Sequence, residues 1–171
     1  MRLLICTLLF FINSSIVQSQ ELTTIDRNGF SITFPNTWKE EKVPNCLIYI
    51  LETETDKEQT DSLTSIGIQE TKNSQTLEAF SKEYEVGLAN YKDFKIKVKK
   101  ELMYGDKKAI RYFYTATDSH IPMEVMAIAI ENKGKIILVT ATAYWFKPSD
   151  KKDFVQLLSK TEEILNSIKV E

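Results

Sequence analysis

The chain has 171 residues, of which 43% are hydrophobic and 27% charged, with a formal net charge of −2. This is the composition of an ordinary globular protein rather than a disordered or collagen-like one, and the lack of basic excess argues against a nucleic-acid partner, whose phosphates are met by dense Lys and Arg. Only 5 Gly, 2 Cys and 1 His are present, so the residue types on which much cofactor and metal chemistry relies are scarce.

The first segment reads as an address. Met1-Arg2 gives a short positive start, Leu3 to Ile12 is an apolar core, and a polar stretch ends at Val17-Gln18-Ser19 with small residues at the two key positions. This pattern is that of a secretory signal peptide covering residues 1–19, cut after Ser19. Its apolar run of about ten residues is too short to span a bilayer. Cys6 lies inside that run without the small residue a lipidation site places before it, so the expected product is exported, periplasmic or secreted from a bacterium, with no membrane anchor. The remaining domain, residues 20–171, keeps one cysteine, Cys46, and cannot form an internal disulfide. At ~150 residues a chain buries roughly 68–70% of its unfolded surface, enough to dispense with one.

No repeat and no Pro/Ser/Gly-rich linker divides residues 20–171, so a single domain is expected. Phe30 to Phe34 alternate apolar and polar before Pro35, Cys46 to Leu51 form an apolar run of strand length, and Leu63 to Thr71 form a third strand. Between the last two lies an acidic loop with Glu52, Glu54, Asp56, Glu58 and Asp61. It lacks the central Gly and terminal Glu of an EF-hand and reads as a solvated connection. Leu77, Phe80, Tyr84, Leu88 and Tyr91 then define one face of an amphipathic helix, with Ser74 or Thr76 placed to cap it. Four strand-length runs follow, at 94–104, 107–117, 121–131 and 135–146, separated by turn residues, which predicts an antiparallel meander. The last two are apolar in both phases, as central strands covered on both sides would be. Phe154, Leu157, Leu158, Thr161, Ile164, Leu165 and Ile168 keep helical spacing after a Ser149 cap. The predicted fold class is α+β: an antiparallel sheet of about six or seven strands sandwiched by helices.

That order of elements resembles the PsbP-like superfamily, which includes the photosystem II extrinsic subunit, Mog-type Ran-binding proteins and small bacterial exported proteins. The resemblance is carried by the strand-Pro-x-x-Trp opening (Phe30, Ile32, Phe34, Pro35, Trp38), the helix beginning Thr76-Leu77-Glu78-Ala79-Phe80, the hairpin series, and the closing helix from Phe154 to Val170. It covers nearly all of residues 20–171. The resemblance implies a fold and a habit of binding other proteins as an accessory, with no reaction and no catalytic residues to carry across.

The residues themselves agree. The five glycines are isolated, which excludes the clustered glycines of a phosphate-cradling loop. Within residues 20–171 one His and one Cys, 74 positions apart, do not make a zinc site. No cofactor, no metal and no enzymatic activity are expected. A hydrolase pairing Cys46 as nucleophile with His120 as base is the remaining catalytic alternative, although Cys46 opens an apolar run and His120 falls in a turn. Binding candidates are Lys95, Lys97 and Lys99, which simple alternation would place on one strand face about 6.6–6.8 Å apart, and Trp145 at the end of a strand. The leading expectation is an exported, non-enzymatic domain that binds another envelope or secreted protein. A second is a carrier of a small apolar ligand in a sheet-helix pocket lined by Tyr84, Tyr112 or Trp145.

Overall fold

A computed structural model of the chain describes residues 21–27, 29–52, 62–145 and 161–171. The signal-peptide expectation, most of the acidic loop and the first half of the predicted closing helix lie outside these residues. The elements in chain order are β1 (Leu22–Arg27), β2 (Phe30–Pro35), β3 (Trp38–Glu40), β4 (Ile48–Glu52), β5 (Ser62–Glu70), α1 (Leu77–Leu88), β6 (Lys92–Tyr104), β7 (Lys107–Asp118), β8 (Ile121–Asn132) and β9 (Lys135–Trp145). A helical segment, α2, covers 161–167, and β10 (Lys169–Val170) follows it.

The strands form two sheets. The larger has seven strands in the order β3-β4-β5-β9-β8-β7-β6, and the smaller has three in the order β1-β2-β10. All of their pairings are antiparallel. The predicted strand at 30–34 thus belongs to the smaller sheet rather than to the main one. β1 and β3 join the expected elements, and the α+β architecture stands.

Three two-residue turns set the register of the meander. Tyr104 pairs with Lys107, Asp118 with Ile121, and Asn132 with Lys135. Gly105 carries a φ of 62°, the positive value that a II′ turn places at its first central position, and Lys133 and Gly134 both have positive φ as a I′ turn requires. The turn at 119–120 is also of the I′ kind, yet Ser119 (φ 49°) and His120 (φ 74°) occupy it. A side chain in this region strains the backbone by roughly 1–2 kcal/mol. Replacing His120 with glycine is therefore expected to raise stability by about 0.5–1 kcal/mol, after allowance for the flexibility glycine adds to the unfolded chain. Calorimetry should show a melting temperature higher by about 1–4 °C.

Both faces of the main sheet are covered, as the two-phase apolar pattern of β8 and β9 implies. On one face, α1 lays Leu77 and Phe80 over Ile110, Tyr112, Tyr114, Val125 and Ala127. Thr76 caps this helix by accepting a hydrogen bond from the Ala79 backbone N–H at 3.2 Å. On the opposite face, Ile164, Leu165 and Ile168 join Phe30, Ile32 and Phe34 of β2 over the alternate residues, among them Ile66, Ile68, Ile128, Ile130 and Ile137. α2 and the smaller sheet thus share the second layer.

Candidate functional site

β6 is the edge strand of the seven-stranded sheet and has 13 residues. Its pairing with β7 is regular from Val98↔Phe113 to Tyr104↔Lys107 and shifts between Ile96 and Val98, leaving Lys97 opposite no residue. This is a bulge, and it changes which side of the sheet the following side chains face. Phe94 and Ile96 pack with Tyr114 on the α1 side, whereas Leu102 and Tyr104 pack with the α2 layer. The lysines divide accordingly. Lys99 is paired with Tyr112 on the α1 side, and Lys95 is paired with Thr115 on the other. The single-face lysine stripe expected from strict alternation is therefore corrected: the bulge at Lys97 splits it, while Lys95, Lys97, Lys99 and Lys100 all remain exposed along one edge.

Lys99 is the best-held of the four. Its Nζ donates to Glu85 Oε1 at 2.5 Å and lies 5.9 Å from the centre of the Tyr112 ring. Tyr112 donates to Ser81 Oγ at 2.8 Å, and Ser81 donates to the same Glu85 oxygen at 3.1 Å. One glutamate of α1 thus gathers a lysine from β6 and, through a serine, a tyrosine from β7. The hydrogen bond from Lys99 holds the Glu85 carboxyl below its ordinary range, and Glu85 in turn raises the Lys99 ammonium. Because Lys99 is 42% exposed, water screens the pair, and a double-mutant cycle of Lys99→Met with Glu85→Gln is expected to give a coupling of about 0.2–1 kcal/mol. Beneath the network, Phe80 stacks on Tyr84, and Tyr84 meets Tyr112 and Tyr114 edge-on. The Tyr84 and Tyr114 hydroxyls are hydrogen-bonded at 3.1 Å. Burial pushes the Tyr84 hydroxyl up to about 12 and raises Tyr114 as well. These tyrosines are structural partners of one another.

Next to this network, an open groove of about 1010 Å³ runs between the start of α1 and the β6–β7 hairpin, with Glu78, Lys82, Lys99, Glu101, Met103 and Lys108 along it. Its walls carry both signs of charge, and Met103 stands 59% exposed at its rim. Sequence reasoning missed Ser81 and Glu85. A serine inside the apolar face of α1, with an acid four residues later, was the available sign that this helix meets a polar neighbour.

The other candidates are dispersed. Cys46 lies beside Gly67 and receives a hydrogen bond from Gln69 Nε2 at 3.4 Å. His120 sits in the turn after Asp118, beyond the Met123↔Tyr144 pair. Gly67 is opposite Thr140, so four strand positions of β9, about 13 Å, separate the two residues before any sideways distance is counted. No nucleophile–base contact can form across that span. Trp145 shares the side of β9 on which Ala141 joins the α2 layer, whereas Tyr84 and Tyr112 are in the α1 layer. Trp145 thus lies on the opposite face of the sheet from Tyr84 and Tyr112, which are packed edge-on against each other. Among the described residues, no helix is long and apolar enough to cross a membrane.

The architecture has counterparts among solved structures. The chain is similar to LpqN of Mycobacterium tuberculosis, described as involved in cell envelope biogenesis, with a TM-score of 0.59 and 10% identity over 89% of this chain and 91% of that one. It is similar to cyanobacterial PsbP from Synechocystis sp. PCC 6803, with a TM-score of 0.56 and 15% identity over 91% and 95%. It is likewise similar to the Ran-binding protein Mog1p of Saccharomyces cerevisiae, with a TM-score of 0.59 and 10% identity over 89% and 96%. The fold is that of the PsbP-like and Mog1 proteins. No protein-family model and no curated protein matches the chain, so the PsbP-like likeness is one of architecture. It fixes the frame on which β6 and α1 sit, and the chemistry of the edge and groove must be read from this chain's own residues.

Proposed function

We propose that the chain is an exported, non-enzymatic PsbP-like domain that works as an accessory factor by binding another protein of the cell envelope or outside the cell. The observation that carries this reading is the outer edge of β6: a long terminal strand whose lysines and Met103 are exposed beside a groove of mixed charge. Such an edge, rimmed by polar groups and with some apolar surface, suits a partner better than it suits a small substrate. The signal-peptide pattern of residues 1–19 supports the location, and the description of LpqN as a cell envelope biogenesis protein and of Mog1p as a Ran-binding protein supports the accessory role.

Photo-crosslinking residues placed at Lys95, Lys97 and Lys100 in the producing cell test this. The expected result is one recurring protein adduct that is lost when the crosslinker is moved to an exposed site remote from β6, such as Leu22. Repeated failure to capture any protein would overturn the reading. N-terminal sequencing of the exported form checks the location independently, with Gln20 expected as its first residue.

A further inference from the structure

We infer that the β6 edge between Val98 and Tyr104 takes up an extended acidic segment of the partner as an additional β-strand. The inference rests on the protein-binding reading above and specifies how that binding is made.

The geometry starts from the turn. Tyr104 and Lys107 flank the two-residue Gly105-Asp106 turn, and the pair flanking such a turn exchanges both backbone hydrogen bonds. Hydrogen-bonded and non-bonded pairs then alternate, so Leu102, Lys100 and Val98 direct their amides toward β7. Lys99, Glu101 and Met103 direct theirs away from the sheet. The register with β7 is unbroken over this stretch, so the outward groups form a straight row that an incoming strand can match. Just before it, the bulge at Lys97 ends the regular edge and limits the added strand to about seven residues.

Side chains on both faces of that row are accessible. Lys99, Glu101 and Met103 border the groove beside α1, and Val98, 46% exposed, and Lys100 lie on the opposite face. An added strand would therefore place alternate side chains in the groove and the others over Val98.

Charge selects the occupant. Within the row Lys99 and Lys100 outnumber Glu101, and Lys95 and Lys97 stand just beyond its bulged end. A second copy pairing antiparallel along the whole row would set Glu101 against Glu101 and leave Lys99 and Lys100 opposite Met103 and Leu102, so a like-charge pair forms and neither lysine gains a partner. A strand bearing carboxylates places an opposite charge across from these lysines. The row thus favours an acidic partner over the protein's own copy.

The test is a titration of the isotope-labelled protein, followed by amide NMR, with a short peptide alternating threonine and glutamate and a matched peptide alternating threonine and lysine. The expected result is perturbation and exchange protection of the Lys99, Glu101 and Met103 amides by the glutamate peptide and weaker binding of the lysine peptide. Glu101→Pro removes one outward N–H while leaving the bonds to β7 intact, and Glu101→Thr removes the same charge but keeps the N–H. Proline should weaken the glutamate peptide about ten-fold relative to threonine. If the proline variant fails to fold, the glutamate peptide with alternate amides N-methylated supplies the same comparison on the unaltered protein. Equal binding of both peptides, no response up to millimolar concentration, or full retention of binding after N-methylation would overturn the inference. So would phosphatidylglycerol vesicles that displace the peptide while perturbing only lysine side chains, since the edge would then face a lipid surface. Crosslinks to a partner that map away from β6 would end this inference and leave the protein-binding reading intact. Peptide binding at the edge without any captured partner would do the reverse.

Discussion

Replacing Trp38 with alanine is expected to lower the unfolding free energy by about 3–5 kcal/mol, the range for deleting a large buried aromatic side chain. Trp38 is 3% exposed and belongs to the core that unites Phe34 of the smaller sheet with Ile48, Ile50 and Ile66 of the larger one. Only Asn36 and Thr37 separate β2 from β3, so the chain leaves one sheet and enters the other within two residues, and the indole fills the space beside that crossing. The same junction is tied on its surface by Arg27 of β1, whose guanidinium donates two hydrogen bonds to Glu40 of β3, at 2.6 and 3.2 Å. Being exposed, that fork adds little to stability compared with the indole. Urea unfolding should show a lower midpoint with an unchanged slope, because the surface exposed on unfolding hardly alters. Trp38→Phe, which keeps most of the apolar volume, is expected to recover much of the loss. A Trp38→Ala variant as stable as the parent would show that the two sheets do not depend on this contact.

Alkaline pH is expected to produce a loss of similar size through the tyrosines beneath α1. Tyr84 is raised from 10.0 to about 12, chiefly by burial, and Tyr114, Tyr112, Tyr104 and Tyr144 shift in the same direction for the same leading cause. Below pH ~10 these hydroxyls are protonated in both folded and unfolded chains and stability does not depend on them. Above it, the unfolded chain releases its protons first, so stability falls as pH rises from 10 toward 12. At about 1.36 kcal/mol per unit, Tyr84 alone accounts for roughly 3 kcal/mol over that interval. Denaturant unfolding at successive pH values from 8 to 12 should therefore show a plateau followed by a steep decline. The double variant Tyr84→Phe, Tyr114→Phe should flatten the decline, since it removes both buried hydroxyls together and orphans neither. A decline that persists unchanged in the double variant would place the alkaline sensitivity elsewhere.

The meander was legible because its turn residues and apolar alternation point to the same register, and α1 was legible because Thr76 and the Leu77–Phe80–Tyr84–Leu88 spacing agree. The helix ends at Leu88, so Tyr91, which fits the same spacing, is left outside it and exposed. β1 escaped notice because nearly all of its side chains are exposed and nothing in Leu22–Arg27 alternates by burial. β3 and β10, of three and two residues, are too short to carry a period at all. The bulge in β6 was hidden by its own sequence. Phe94, Ile96, Val98, Leu102 and Tyr104 are apolar at every second position but one, so the run reads as a single buried face. In the fold, both sides of the sheet are covered, and the strand can turn its apolar residues toward α1 before Lys97 and toward α2 after it without leaving the pattern. Alternation reports that a side chain is inward, and in a two-sided sheet there are two inward directions. For the same reason Lys99, which alternation assigns to solvent with Lys95, lies instead against Tyr112 and Glu85.

The pairing of β2 with β10 bears on the order in which the chain folds. Lys169 and Val170 align with Ser31 and Phe30, and the Ser167 hydroxyl donates to the Thr33 carbonyl and accepts from the Thr33 amide, across 134 positions. The second edge of β2 is filled, and Phe30, Ile32 and Phe34 meet Ile164, Leu165 and Ile168, only when a loop of this length has closed. That closure costs chain entropy before its contacts form, so this layer of the core is expected to be among the last to assemble, after the local hairpins of the meander.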